Sequence, residues 1–340
     1  MPAPPSEPLY TSTAVTLDEV ADAAGVSPST VSRVLNGTAR VSDAKRRAVE
    51  ETVARLNFQL NPVARGLARG RSMSIGVVTQ AVDSPFYGEA MRGVEEALEG
   101  SGFMPLFISG HWSEQVEARS LQLLQARRVD GVILLHGRLS DADLLRVAQC
   151  TPVVVTGRRL QGPRLLSFSG HDFEGAVLAT QHLLGLGHRE IAHLGGPANH
   201  PDVQERLAGY RHALEQAGIA FDAQRALQSD LNEAGGAQAM HRLLDSGCRF
   251  SAVFTANDQI AFGAQLVLRR RGLQVPQDVS LVGFDDLNIS AFMTPPMTTV
   301  RQSARDIGRI AVEGMLALLA GGKLEMSLPP PQLIVRESTR

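Results

Sequence analysis

The sequence predicts an α/β chain in three parts: an N-terminal three-helix head with a helix-turn-helix, a short hinge segment, and a two-lobed body of doubly wound parallel sheets. Three observations carry this. A capped pair of short helices reads from TLDEVADAAGVSPSTVSRVLN at 16–36. A brief arginine-flanked stretch, NPVARGLARGRS, follows at 61–72. From Ser74 onward, apolar runs rich in β-branched residues alternate with helical stretches, in two successive series.

In the head, Thr16 and Glu19 have the spacing of a capping box, which satisfies backbone N–H groups left open at a helix start. Leu17, Val20, Ala21 and Ala24 share one face at helical spacing, and Gly25 suits a left-handed helix end. Ser27 and Pro28 open a second helix, with a hydroxyl at the N-cap and a proline where no N–H is needed. Val31, Val34 and Leu35 face inward from it, while Ser29, Ser32 and Arg33 face outward. Ser42 is placed to cap a third helix, whose Val49, Val53 and Leu56 close the head against Val20 and Val31. Such a second helix fits the DNA major groove, where Arg33 can fork onto a guanine edge or hold a phosphate. The helix pair alone leaves open an ordinary helical hairpin in a larger core.

The run AGVSPSTVSRVLNG at 24–37 is more specific, and it resembles the lactose-repressor (LacI-type) family of bacterial regulators. In that family the residues at the Pro28, Ser29 and Arg33 positions lie in the groove and read bases. The resemblance therefore implies double-stranded operator DNA as a partner. The candidate DNA contacts are Thr16, Ser27, Pro28, Ser29, Thr30, Ser32, Arg33, Asn36 and Arg40, joined by Asn61, Ala64, Leu67 and Ala68 in the linker.

Charge distribution agrees. The chain of 340 residues has net charge −2, yet residues 27–71 hold nine Lys/Arg against three acids, +6, which leaves −8 for the rest. A basic head on an acidic body suits a head that meets phosphate. Lys45, Arg46 and Arg47 are better placed for phosphate than for bases, giving affinity and salt dependence. The two cysteines, Cys150 and Cys248, form no disulfide framework, and both read as packed apolar positions. No apolar stretch is long enough for a membrane span. Residues 1–14 lack the basic start and apolar run of a signal peptide and are expected to be a disordered leader, so the expected location is the cytoplasm.

The expected divisions are a helix-turn-helix domain at 15–60, a hinge at 61–71 and the body at 72–340. Within the body, one lobe takes about 72–169 and 302–328, the other about 170–299 and 331–340. In the hinge, Asn61 and Pro62 can start a helix with an apolar stripe of Val63, Ala64, Leu67 and Ala68. Fewer than three turns precede Gly70, and helices under roughly 12 residues are marginal alone in water. The segment is expected to order only on DNA or a second chain. The resemblance implies a hinge helix whose leucine, here Leu67, wedges into the minor groove.

Strand-like runs lie at 74–79, 105–109, 131–136 and 152–156, then at 191–196, 251–256 and 280–284, with helices between. Runs at 297–302 and 328–335 are expected to carry the chain between lobes. Ligands bind such sheets at the carboxyl ends of the strands. Phe86 and Tyr87, Arg158, Arg206, Asn257, Asp285 and Gln302 follow strands or open helices there. Guanidinium, carboxylate and amide groups bond hydroxyls, and an aromatic face covers the C–H face of a sugar. Each residue has a plainer reading: Asn257 as a helix cap, Asp285 paired with Arg301, Phe86 as core.

The body resembles the periplasmic sugar-binding-protein fold of that family's effector domain, through ERLAGY (205–210), ANDQIAFG (256–263), VSLVGFDD (279–286) and TTVRQ (298–302). The resemblance implies Arg206, Asn257, Asp285 and Gln302 as effector ligands, Phe86 as a stacking aromatic, and Arg158 as a sugar-holding arginine. Many relatives have an aspartate where this chain has Gly157.

No enzyme signature competes. GLGHRE (185–190) lacks the third glycine and lies between helix and strand, the reverse of a dinucleotide site. His182, His188, His193 and His200 lack metal spacing and are expected at surface or capped positions, so no metal or cofactor is expected. The expectation is a homodimeric repressor of carbohydrate-utilisation genes, controlled by a sugar-like effector. A dimer is the expectation because no leucine-heptad tail like that of the tetrameric lactose repressor is read before Arg340. A sugar-binding transport protein and a nucleoside- or purine-responsive regulator are the alternatives.

Overall fold

A computed structural model describes residues 15–36, 41–58, 71–322 and 324–340, with the side chain of Asn36 left undescribed. The chain divides into two compact units, Met1–Ser72 and Met73–Arg340.

In the first unit, α1 (Leu17–Ala24) begins at a complete capping box. The Glu19 N–H donates to Thr16 Oγ1 at 3.3 Å and the Thr16 N–H to Glu19 Oε2 at 2.7 Å. The helix stops at Gly25, whose φ of 66° is left-handed. Then come α2 (Pro28–Asn36) and α3 (Asp43–Arg55). Val20, Ala21, Val31 and Val49 are fully buried together, with Val34, Leu35, Val53 and Leu56 packed around them. Burying each valine contributes about 1.5–3 kcal/mol. Ser42 stands at the N-cap of α3, but its hydroxyl makes no capping bond, contrary to expectation.

The second unit opens with β1 (Ser74–Thr79), α4 (Pro85–Leu98), β2 (Met104–Ser109), α5 (Glu114–Ala126), β3 (Gly131–Leu134), α6 (Asp141–Cys150), β4 (Val153–Thr156) and β5 (Leu165–Phe168). These strands form one parallel sheet in the order β2-β1-β3-β4-β5. The chain continues with α7 (Asp172–Gly185), β6 (Ile191–Gly195), α8 (Pro201–Gln216), β7 (Ala226–Gln228), α9 (Glu233–Asp245), β8 (Ala252–Thr255), α10 (Asp258–Arg270), β9 (Ser280–Asp285) and β10 (Thr298–Arg301). It ends with α11 (Ala304–Leu319) and β11 (Gln332–Ile334). The second sheet has the order β11-β10-β9-β8-β6-β7, parallel except where β11 meets β10.

The central strands β3, β4 and β8 are buried along their whole length, because helices cover both faces of each sheet. Leu121, Leu124, Leu144 and Ala148 of α5 and α6 pack on one face of the first sheet. Tyr87, Ala90, Val94, Ile307, Ala311 and Met315 of α4 and α11 pack on the other. Helix α11 departs from the sequence expectation, which has only crossing segments on either side of it. It lies so close to α4 that a Cβ at Gly308 would stand 1.9 Å from the Ala90 carbonyl oxygen.

Other expectations need correction. Cys150 is exposed at the end of α6 and Cys248 is half-buried, so neither is a packed core position. His193 is not at the surface: it is 1% exposed on β6, between the rings of Tyr210 and Phe254. Burial there pushes its pKa down to about 4, so it is neutral at physiological pH. The short strands β5 and β7 were also missed.

Candidate functional site

A cavity of about 580 Å³ lies between the carboxyl ends of the two sheets, within the second unit. Each lining group leaves the end of a strand. From the first sheet come Phe86 and Tyr87 after β1, Trp112 after β2 and Arg138 after β3. From the second come His200, Asp202 and Arg206 after β6, Asn257 after β8, Asp285 at the end of β9 and Gln302 after β10. Six of the seven expected ligand residues thus line one space, Phe86 and Tyr87 from the first sheet and Arg206, Asn257, Asp285 and Gln302 from the second.

The floor is a buried ion cluster. Arg206 donates through Nε to Asp172 Oδ1 at 2.8 Å, and Nη2 reaches the same oxygen at 2.8 Å. Its Nη1 donates to the Ala256 carbonyl and lies 3.6 Å from Asp285 Oδ1. The guanidinium carbon sits 3.8 Å from the centre of the Phe284 ring. Asp285 also accepts from Gln302 Nε2 at 3.0 Å. Burial outweighs these favourable contacts: it raises the Asp285 pKa to about 7 and also raises that of Asp172. Arg301, the alternative partner considered for Asp285, pairs with Asp286 instead, at 2.7 Å. Asn257 is both a cap and a wall residue: Oδ1 accepts from the Ile260 N–H at 2.8 Å while Nδ2 donates to the Leu231 carbonyl at 3.2 Å.

Arg158 is the exception and a correction. It does not line the cavity, because its guanidinium is committed to the loop after β3. Nη1 donates to the Leu139 carbonyl at 2.7 Å and to Asp141 Oδ1 at 3.1 Å, and Nη2 to the Gly137 carbonyl. Glu117 fastens the same loop from its N–H side, accepting from Arg138 N at 2.8 Å and Leu139 N at 3.0 Å. Together they hold the turn that carries Arg138 to the rim. Gly157 has an equally local reason. Its φ is +75°, and a Cβ there would stand 2.2 Å from His136 Cδ2. The His136 ring occupies the place an aspartate side chain would need.

Side-chain contacts span the cleft. The Trp112 and His200 rings are 4.2 Å apart, and His136 Nε2 lies 3.4 Å from Asp202 Oδ2. Burial lowers the His200 pKa to about 3, so this ring is neutral. His200, expected at a surface or capped position, stands at the N-cap of α8 without a side-chain capping bond, and its ring lies against Trp112. Trp112, Arg138, His200 and Asp202 were missed as site residues. For Trp112 and Arg138 the signal was present, since each directly follows a strand run, as Phe86 does. A second depression of about 530 Å³ lies between α5 and α6, lined by Ala118, Leu121, Leu139 and Val147 with scattered polar ends. It lacks convergent polar groups from different strands, so the interlobe cavity is the better binding site.

In the first unit, Ser27, Pro28, Ser29 and Arg33 are exposed on α2 or at its start, and Thr30 and Ser32 are half-buried. Ser27 Oγ lies 2.9 Å from both Ser29 Oγ and Thr30 Oγ1, which ties the N-terminus of the helix together. Thr16 is exposed, with its hydroxyl in the capping box. Arg40, Asn61, Ala64, Leu67 and Ala68 lie outside the described residues, as does the expected hinge helix.

A helix-turn-helix unit followed by a two-sheet body with a polar, aromatic-walled cleft defines a DNA-binding regulator with an effector-binding domain. The model for "Bacterial regulatory proteins, lacI family" matches residues 16–61, and that for the "Periplasmic binding protein-like domain" matches residues 180–339. The ribose operon repressor of Escherichia coli (strain K12) is 35% identical over 308 residues, 88% of this chain and 92% of that protein. The lac repressor dimer bound to operator and the anti-inducer ONPF has a TM-score of 0.85 at 31% identity, covering 96% of this chain and 99% of that one. A complex of the transcriptional regulator CelR with cellobiose gives a TM-score of 0.70 at 34% identity, over 95% of this chain and 99% of that one. The chain belongs to the lacI family of bacterial regulatory proteins. It is a DNA-binding transcriptional regulator, and among the described residues no helix is long and apolar enough to cross a membrane.

Proposed function

We propose that this regulator represses carbohydrate-utilisation genes as a cytoplasmic homodimer, and that a sugar-like molecule bound between Phe86 and Asp285 controls its hold on operator DNA. The observation that carries the reading is the composition of the interlobe cavity: rings of Phe86, Tyr87 and Trp112 on one wall, and Asn257, Asp285 and Gln302 on the other. Sugars need that pairing, an apolar plane for C–H groups and fixed acceptors and donors for hydroxyls. The relatives support it by name, being a ribose operon repressor and a regulator complexed with cellobiose.

The domain division at 61–71 serves the same reading. The head meets the major groove through Ser27, Pro28, Ser29, Thr30, Ser32 and Arg33, with Thr16, Asn36 and Arg40 at its edges. Asn61, Ala64, Leu67 and Ala68 follow the minor groove. Catalysis has no part in this function. Coupling of 1–3 kcal/mol between the two sites would be sufficient for control.

A thermal-shift screen over sugars and nucleosides tests it, since a ligand selective for the folded state raises Tm. A sugar that raises Tm and changes operator affinity is the expected result; if no sugar does either, the reading fails. The ring wall of Phe86 and Trp112 also favours a second reading, a nucleoside effector stacked by its base. The same screen separates the two.

A further inference from the structure

The charge of the cleft narrows what can enter it. Five carboxylates line the cavity, from Asp83, Asp202, Asp230, Glu233 and Asp285, against the guanidiniums of Arg138 and Arg206. Arg206 has little left to offer a ligand anion. Its donors face Asp172, the Ala256 carbonyl and Asp285, and its face is covered by the Phe284 ring. Arg138 remains, exposed at the rim. His200 adds no positive charge, being neutral by burial.

Helix N-termini are the other source of positive potential, and α4, α8, α9 and α10 all start at the cleft. Three of these termini carry an acid in the first turn. Asp202, Glu233 and Asp258 stand in the first turns of α8, α9 and α10, and Asp83 precedes α4. Asp258 is buried and satisfied, accepting from Leu287 N at 2.8 Å, Ser290 Oγ at 2.5 Å and Thr299 Oγ1 at 2.6 Å. An incoming phosphate or carboxylate would find only Arg138 at the rim and the start of α4 to set against the carboxylates.

We infer that the cleft selects uncharged or amine-bearing saccharides and rejects their phosphorylated or carboxylated derivatives, through the carboxylates of Asp202, Asp230 and Glu233 and the prior engagement of Arg206. The inference rests on the sugar reading above and adds a charge rule to it. An ammonium group would gain twice, from the carboxylates and from the ring faces of Trp112 and Phe86.

Trp112 is the sole tryptophan of the chain and lines the cavity, so its fluorescence reports occupancy directly. The full chain is titrated with matched sets built on one ring: glucose, glucosamine, glucose 6-phosphate and gluconate; the galactose equivalents; cellobiose; and ribose with ribose 5-phosphate. The expected result is that a neutral or amino member binds at least about tenfold more tightly than its anionic counterpart. The gap should narrow in high salt, which screens charges beyond a few ångströms. The double variant Asp230→Asn/Glu233→Gln alters two exposed residues and should narrow the gap severalfold at low salt. An anionic member binding as tightly as its neutral parent would overturn the charge rule while leaving the sugar reading intact. A gap unchanged in the double variant and in high salt would overturn its electrostatic cause. Silence from every saccharide would overturn the sugar reading itself, and the charge rule with it.

Discussion

Replacing Arg206 with alanine tests the central cluster most directly. In the native chain this guanidinium faces two carboxylates, Asp172 at 2.8 Å and Asp285 at 3.6 Å, with side chains 6% (Arg206), 9% and 6% exposed. Removing one member of a buried charged cluster typically costs 3–5 kcal/mol, because the partners stay buried without a counter-charge. The loss should depend on pH in a definite direction. Both carboxyls already have raised pKa values, Asp285 to about 7, and without Arg206 both rise further. A carboxyl raised in the folded state stabilises while it is protonated and loses that contribution as pH rises through the folded pKa. Arg206→Ala should therefore be most destabilising near pH 8 and less so near pH 5, by about 1.4 kcal/mol per unit of further shift in either carboxyl. Urea denaturation at the two pH values measures it, and Trp112 fluorescence with the effector measures binding. Effector response should be lost at both. A variant within about 1 kcal/mol of wild type at pH 8, or one more impaired at pH 5, would refute the electrostatic account of the cluster.

The remaining predictions concern other parts of the molecule. Arg33→Ala should weaken operator binding by about 1–3 kcal/mol if the side chain reads a guanine, with effector binding unchanged; fluorescence anisotropy with labelled operator measures the first and Trp112 emission the second. Gly157→Ala should destabilise by about 1–3 kcal/mol, given a φ of +75° and a Cβ 2.2 Å from the His136 ring, and a melting temperature equal to wild type would show that the His136 ring yields freely. Effector hydroxyls donating to Asp285 favour its ionised form, whose pKa stands at about 7 in the free protein. Effector affinity should then rise between about pH 5.5 and 8 with release of up to one proton, seen by calorimetry in buffers of different ionisation enthalpy. In Asp285→Asn both the pH dependence and most of the affinity should disappear.

Much of this was legible from residues alone. The head needs only local chemistry: Thr16 and Glu19 close a capping box three residues apart, Gly25 takes a left-handed turn, and Val20, Val31 and Val49 meet because helical spacing puts each on the apolar face of its helix. The alternation of strands and helices was equally local, because strands buried on both faces must read as continuous apolar runs. Asn257 and Asp285 were found by the rule that doubly wound sheets bind at strand ends, and Phe86 by the same rule.

What the chain's own order left undecided were relations between residues far apart along it. Whether Arg158 faces a ligand or a loop depends on where Leu139 and Gly137 turn their carbonyls, and only the folded β3–α6 connection decides that. His193 and His200 read as surface or capped positions until Tyr210, Phe254 and Trp112 pack their rings against them from distant segments. The short β5 and the helix α11 gain their identity from the sheet and from α4, which they join by packing. The physical reason is the range of the forces. Backbone capping, turn preference and periodic burial act within a few residues and are written in sequence. The desolvation of Asp285, the saturation of Arg206 and the net charge of the cleft arise only when both sheets bring their strand ends together.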